Sequence, residues 1–266
     1  MIDFPVGIST TISGAVVGLV LGLVGGGGSI LAVPLLVYAV GMTSPHVAIG
    51  TSAFAVSLSA LGNIVSHARA GNVKWRCAAV FASTGVVGAV AGSTVAKALD
   101  GQKLLVLFGA LMIVVGLAML RKRSAAGNPE VRLSMASARE LLPLLIGIGF
   151  AVGFSSGFFG IGGGFLIVPG LMLATGMPLT MAIGTSLVAV AAFGAATAAS
   201  YAVSGLIDWP VACLFVLGGL AGGFAGVALG KVLGRKKRSL DLTFAGLVIL
   251  VGLYVVARGT ATLFEV

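Results

Sequence analysis

Charged residues are scarce in this sequence, and acidic residues are the scarcest. Only 9% of the 266 residues are charged, with seven Asp and Glu against 16 Lys and Arg, whereas 58% are hydrophobic. Soluble domains carry roughly a quarter of their residues as charged side chains, so these few charges cannot coat a water-exposed surface. The composition therefore excludes a soluble globule and a disordered chain, and it predicts a polytopic membrane protein.

Cysteine is nearly absent as well. Cys77 and Cys213 lie in apolar stretches without metal-binding spacing, so we expect small packed residues rather than a disulfide scaffold. No metal, cofactor or catalytic residue is predicted. The net charge of +9 would suit a nucleic-acid partner, but the cations cluster between apolar stretches. They indicate membrane topology and lipid headgroups instead, and no nucleic acid is expected.

Acidic residues are also missing from the interior of the apolar stretches. Carboxylate proton relays, carboxylate-liganded Na⁺ sites and cationic substrates all depend on an intramembrane acid. The sequence disfavours all three, whereas an anionic substrate needs no such group. The acids fall in loops or near segment ends, at Asp3, Asp100, Glu130, Glu140, Asp208, Asp241 and Glu265.

The sequence does contain an internal repeat. A shift of 135 residues aligns the glycine-rich stretch 25–34 with 160–169, and a shift of 134 aligns 49–52 with 183–186, both Ile-Gly-Thr-Ser. This self-similarity predicts two homologous halves. The predicted units are a first transmembrane repeat at 1–123, a linker at 124–138 and a second transmembrane repeat at 139–266.

Each half has the same pattern of apolar segments. A first apolar stretch leads into a glycine cluster, then a short apolar segment (29–41 or 164–176), then three longer helices. As a helix the short segment measures about 20 Å, against a hydrocarbon core of about 30 Å. Whether it crosses or re-enters is therefore left open. The predicted fold class is an all-α polytopic membrane protein with about 8–10 membrane segments.

The positions of the cations predict the orientation. Lys and Arg are concentrated in and around 122–140 and in 69–76, but are missing from 205–209, the equivalent of the second stretch. Because cytoplasmic loops are rich in Lys and Arg, we expect a cytoplasmic linker and both termini outside. Equivalent loops then lie on opposite faces. This predicts inverted repeats, the pattern of secondary transporters with a midplane site.

The candidate site comprises the glycine clusters and the polar residues that follow them. A half-helix that starts at a glycine loop directs free N–H groups and a positive dipole end toward an anion, whereas a tight helical turn packed on glycines is the alternative. The hydroxyls early in the next helix suit a substrate oxygen or their own helix carbonyls equally. The polar residues further along that helix suit a permeation route or interhelical bonds. The candidate substrate-binding residues are Gly25, Gly26, Gly27, Gly28, Ser29, Thr51, Ser52, Asn63, Ser66, Gly160, Gly162, Gly163, Gly164, Thr185, Ser186, Thr197 and Ser200.

The two glycine–proline stretches, each followed by Ile-Gly-Thr-Ser, resemble the TauE/SafE family of sulfite exporters. The resemblance covers essentially the whole chain, in both halves. It implies transport of sulfite, sulfonates such as sulfoacetate, or related sulfur anions across the bacterial inner membrane, mostly outward.

Residues and resemblance together predict a permease for a small sulfur-containing anion, working by alternating access around a midplane site between the halves. An anion uptake permease or channel is one alternative, and a non-transporting membrane scaffold is another. No enzymatic activity is expected. The expected partners are the anion and membrane lipids, and a homo-oligomer is left open.

Overall fold

The computed structural model describes residues 4–120, 135–160, 164–232 and 237–264, and these form ten helical segments without a strand. The first half contributes five of them and the second half contributes the other five. In chain order they are α1 (Phe4–Val24), α2 (residues 25–39), α3 (Pro45–Arg69), α4 (Trp75–Lys97), α5 (Gly101–Leu120), α6 (Met135–Phe159), α7 (Gly164–Thr175), α8 (Leu179–Val203), α9 (Trp209–Val232) and α10 (Lys237–Phe264).

Eight of these helices, all except α2 and α7, are long and apolar enough to cross a membrane. The predicted all-α fold and segment count are therefore confirmed, and helix α6 begins within the stretch assigned to the linker. Residues 121–134, which include most of that stretch, lie outside the described residues. The repeat boundaries stay a prediction.

Several helix starts are capped by the few polar residues available. The Ser44 hydroxyl accepts a bond from the Val47 amide at 3.5 Å, directly before α3. The Asp100 carboxylate accepts from the Gln102 amide at 2.9 Å, and Asp208 accepts from the Val211 amide at 3.1 Å. A side-chain oxygen at this position satisfies N–H groups that have no partner within the helix. Two of the scarce acids thus start α5 and α9.

Helices α3 and α8 form the centre of the molecule. In the membrane-spanning stretches of α3 and α8, 67% and 56% of the residues are buried, a larger share than in any other described span. They cross at mid-length, where the Ser57 hydroxyl donates to the Ala191 carbonyl at 2.7 Å. The two helices run antiparallel, because Gly50 lies against Leu206 while Gly184 lies against Asn72.

Around this centre, each half packs on the other through matching helix pairs. Helix α1 packs on α9 and α6 packs on α4, and these two pairings are equivalent under the repeat. Backbone meets backbone in both pairs: a Cβ at Gly18 would collide with the Gly219 carbonyl, and one at Gly153 with the Gly85 carbonyl. Small residues permit this close approach in membranes. Helices α5 and α10 pack on each other.

Helix α2 is a composite of three helical types. Residues Gly25–Leu31 form a tight 3₁₀ turn, Ala32–Pro34 are α-helical and Leu35–Ala39 are π-helical. Gly28 lies against the backbone of Leu21, although residues seven apart in a straight helix are about 10 Å apart. The chain therefore turns back onto α1 at the glycines.

Candidate functional site

The first glycine cluster lies against helix α7, which follows the second cluster. Helix α7 packs on the 3₁₀ turn Gly25–Leu31, so the short segments of the two halves meet. In the first half the glycines form a tight helical turn, the alternative left open by the sequence, rather than a non-helical loop. In the second half Gly160 has a φ of +66°, a conformation that glycine adopts without strain. Gly162 and Gly163 lie outside the described residues.

The predicted site residues in and near these clusters are shielded from solvent. Gly27, Gly28, Ser29 and Gly164 are all buried. Gly25 and Gly26 occupy the start of the 3₁₀ turn. A role for these residues in binding substrate stays a prediction.

The two threonines of the Ile-Gly-Thr-Ser motifs have partners that neither sequence alternative named. The Thr51 hydroxyl accepts a bond from the Asp208 amide at 3.0 Å, and the Thr185 hydroxyl accepts one from the Lys74 amide at 3.0 Å. Each threonine thus holds the loop before α9 or α4 in the other half. The glycine beside each threonine lets that loop approach, since Gly50 faces Leu206 and Gly184 faces Asn72.

The serines of the same motifs bond to carbonyls. The Ser52 hydroxyl lies 2.9 Å from the Ile49 carbonyl and 3.2 Å from the Gly160 carbonyl. Its equivalent, Ser186, donates to the Ile183 carbonyl at 2.7 Å. Ser52 therefore connects the central helix α3 to the glycine cluster of the second half.

Asn63 and Thr197 occupy equivalent positions deep in α3 and α8, and both carry an unsatisfied polar atom. They are 2% and 0% exposed. Neither the Nδ2 of Asn63 nor the Oγ1 of Thr197 has a hydrogen-bond partner among the described residues. The Oγ of Ser156 is in the same condition. A buried polar group without a partner is costly, so these atoms lower the stability of the protein without ligand.

A cavity of about 330 Å³ opens at the end of α3 that carries Ser66. It is lined by Gly22, Leu23, Ser66, His67, Ala70, Asn72, Thr180, Ile183, Val227 and Gly230. Gly22 and Leu23 come just before the 3₁₀ turn, so the cavity lies beside the residues that lead into the first glycine cluster. Asn63 lies one helical turn deeper than Ser66 along α3. Ser66 is thus the predicted site residue that lines the cavity.

Ser200, the equivalent of Ser66, lies in a closed polar cluster that sequence reasoning missed. Its hydroxyl accepts a bond from Ser93 at 3.0 Å, and its carbonyl accepts one from the Lys97 ammonium at 3.0 Å. The Lys97 ammonium also lies 5.8 Å from the centroid of the Tyr201 ring. The repeat carried a usable signal, since it aligns Lys97 with Lys231 and Tyr201 with His67. The described residues contain no group of His, Cys, Asp and Glu arranged to hold a metal.

The family model described as Sulfite exporter TauE/SafE matches residues 10–255. The chain belongs to the TauE/SafE family. The resemblance seen in the glycine–proline and Ile-Gly-Thr-Ser stretches is confirmed.

Individual relatives match this chain over most of their length. A probable membrane transporter protein of Xylella fastidiosa is 48% identical over 261 residues, covering 96% of this chain and 97% of its own. The probable membrane transporter protein YunE of Bacillus subtilis is 29% identical and covers 92% of this chain and 96% of its own. A third, from Haemophilus influenzae, is 28% identical over 72% of both chains. No solved structure is a significant match.

With eight apolar spans and this family membership, the chain is a multi-pass membrane transporter and not an enzyme. A transporter of the TauE/SafE family acts on a small molecule and contacts membrane lipids. The scaffold alternative is therefore dismissed.

Proposed function

We propose that this TauE/SafE protein moves a small sulfur-containing anion, such as sulfite or an organosulfonate, by alternating access around a site between its two halves. The main support for this proposal is the cavity of about 330 Å³ beside the glycine turn. The unpartnered Asn63 amide lies one turn deeper. A ligand entering there would meet the Ser66 side chain on the cavity wall.

The donors near the cavity favour an anion. The Ser66 hydroxyl on the cavity wall and the Nδ2 of Asn63 one turn deeper can both donate, and oxyanions accept hydrogen bonds only. Asp100 and Asp208 are occupied in capping helices rather than in lining the cavity. An interior-negative membrane potential favours outward movement of a single negative charge by about 2.3 kcal/mol per 100 mV. Export by this route needs no coupling ion.

The symmetry of the molecule supports a mechanism with two access states. Helices α3 and α8 run antiparallel through the centre, as inverted repeats require, and equivalent helices pair across the halves. The cation distribution supports a cytoplasmic linker and termini outside, in a bacterial inner membrane. In this orientation the cavity faces the cytoplasm, where an exported anion would enter.

Counterflow in proteoliposomes tests the proposal. Vesicles loaded with unlabelled sulfite or sulfoacetate should accumulate the labelled compound, while vesicles loaded with choline chloride should not. The matched control is the same protein with Asn63→Leu, in which the amide donor is removed. Absence of counterflow for every sulfur anion would refute the substrate assignment. Unitary currents in a planar bilayer would favour the channel alternative.

A further inference from the structure

The cavity beside Ser66 has a counterpart at the other end of α3. The repeat aligns Ser66, His67 and Thr180 of the cavity with Ser200, Tyr201 and His46. His46 and Ser66 are 20 residues apart on α3, hence about 30 Å apart along the helix. The two equivalent places therefore lie at opposite ends of the central helix.

Two side chains of the counterpart are buried more deeply than their equivalents at the cavity. Ile49 is 1% exposed, whereas its equivalent Ile183 lines the open cavity. Tyr201 is 0% exposed and fills the position that His67 holds on the cavity wall. The His46 ring lies 6.5 Å from the Tyr201 ring, centroid to centroid.

The repeat also places a larger apolar side chain at one position of the counterpart. Leu23 borders the cavity, and its equivalent is Phe158. Phe158 stacks on Phe154 at 6.1 Å and meets Phe159 edge-on at 4.8 Å, measured between ring centroids. The second half therefore carries an aromatic ring at the position where the first half has the leucine that borders the cavity.

Lys97 holds this closed cluster together through neutral oxygens. Its ammonium donates to the Ser200 carbonyl and to the Ser204 hydroxyl, both at 3.0 Å. A hydrogen bond from a charged donor is stronger than one between neutral groups. Because both acceptors are neutral, an anion that reached Lys97 would gain a charge pair without breaking one.

We propose that this cluster is the second vestibule of the transporter in its closed state. Lys97 and Tyr201 form its gate, and the Lys97 ammonium is the anion-binding group exposed when it opens. The inference rests on the proposed alternating access. Its open form is the mirror state in which the cavity beside Ser66 is closed.

Cysteine labelling in nanodiscs tests the gate without any substrate. The background is Cys77→Ala with Cys213→Ala, and the reporters are Ser66→Cys or Ser200→Cys with a small methanethiosulfonate reagent. Ser66→Cys should react, while Ser200→Cys should react slowly. Adding Lys97→Ala should accelerate Ser200→Cys by ~10-fold, the effect of losing ~1.4 kcal/mol of gate stability. Lys103→Ala, which removes an exposed cation nearby, should leave both rates unchanged.

A bulky side chain in the cavity distinguishes alternate opening of the two ends from local unfolding near Ser200. Thr180→Trp places a large ring in the cavity and prevents its closure. If the two ends open in alternation, Thr180→Trp should return the Ser200→Cys rate in the Lys97→Ala protein to its slow value. An unchanged fast rate in the Thr180→Trp protein, or no acceleration by Lys97→Ala, would overturn the gate. If the labelling rates of Ser66→Cys and Ser200→Cys change in opposite directions but the protein shows no counterflow of sulfur anions, the gate is supported and only the proposed substrate class is refuted.

Discussion

Apolar substitutions of Asn63 and Thr197 should raise the stability of the protein and abolish transport. Asn63→Leu and Thr197→Val keep roughly the shape of the side chain and remove the polar atom that has no partner among the described residues. We expect both variants to be more stable than the parent protein without ligand. We expect both to lose counterflow.

The expected size of the stability change follows from the burial of the two side chains. Both side chains are almost fully buried, at 2% and 0% exposure. An unsatisfied buried polar group costs about 1–3 kcal/mol, and this penalty disappears when the group is replaced by a methyl. Ser57→Ala is the matched control, with an effect of opposite sign. It removes the 2.7 Å hydrogen bond to the Ala191 carbonyl and should lower the free energy of unfolding by about 0.5–1.5 kcal/mol.

Thermal unfolding of the purified proteins in one detergent measures the stability, and proteoliposome counterflow measures the function. One kcal/mol corresponds to about 2–4 °C in Tm for a chain of this size. The midpoint should rise for Asn63→Leu and Thr197→Val and fall for Ser57→Ala. If the first two lower the midpoint and leave counterflow intact, these atoms are structural and the proposed ligand contact is refuted.

Three further outcomes are expected. Gly18→Leu should prevent α1 from packing on α9, because its Cβ would collide with the α9 backbone, and the protein should not elute as a folded species in size exclusion. Gly246→Ala adds a Cβ in open space and should give a normal size-exclusion profile. Thr51→Val should cost about 1 kcal/mol by removing the acceptor of the Asp208 amide, and Thr51→Ser should restore most of it in thermal unfolding. Tyr201→Phe should keep Ser200→Cys labelling slow because the hydroxyl has no partner among the described residues, and Tyr201→Ala should accelerate it.

Much of the fold was predictable because it follows from apolar length and local signals. The first of the three longer helices predicted after the short segment 29–41 is observed at Pro45–Arg69, with a serine cap and a proline at its start. The first glycine cluster was harder. Glycine permits a loop or a tight turn equally, and contact with Leu21 of α1 selects the turn.

The site was predictable as a set of residues but not as a set of partners. Thr51 was assigned to substrate or to its own helix, yet it accepts a bond from Asp208, 157 residues away. Such a partner exists only after α3 and α8 cross. Lys97 and Tyr201 were missed for the same reason, since their contact joins two helices from different halves.

The sequence by itself determined the membrane class, the repeat and the family, because hydropathy, self-similarity and motif spacing are properties of the chain in order. Tertiary structure decided which polar atoms are satisfied and which of two equivalent places is open. Ser66 borders a cavity while Ser200 is hydrogen-bonded to Ser93 and Lys97. Nearly the same segments occupy both places, and the difference arises from whether packing across the halves fills the space between them.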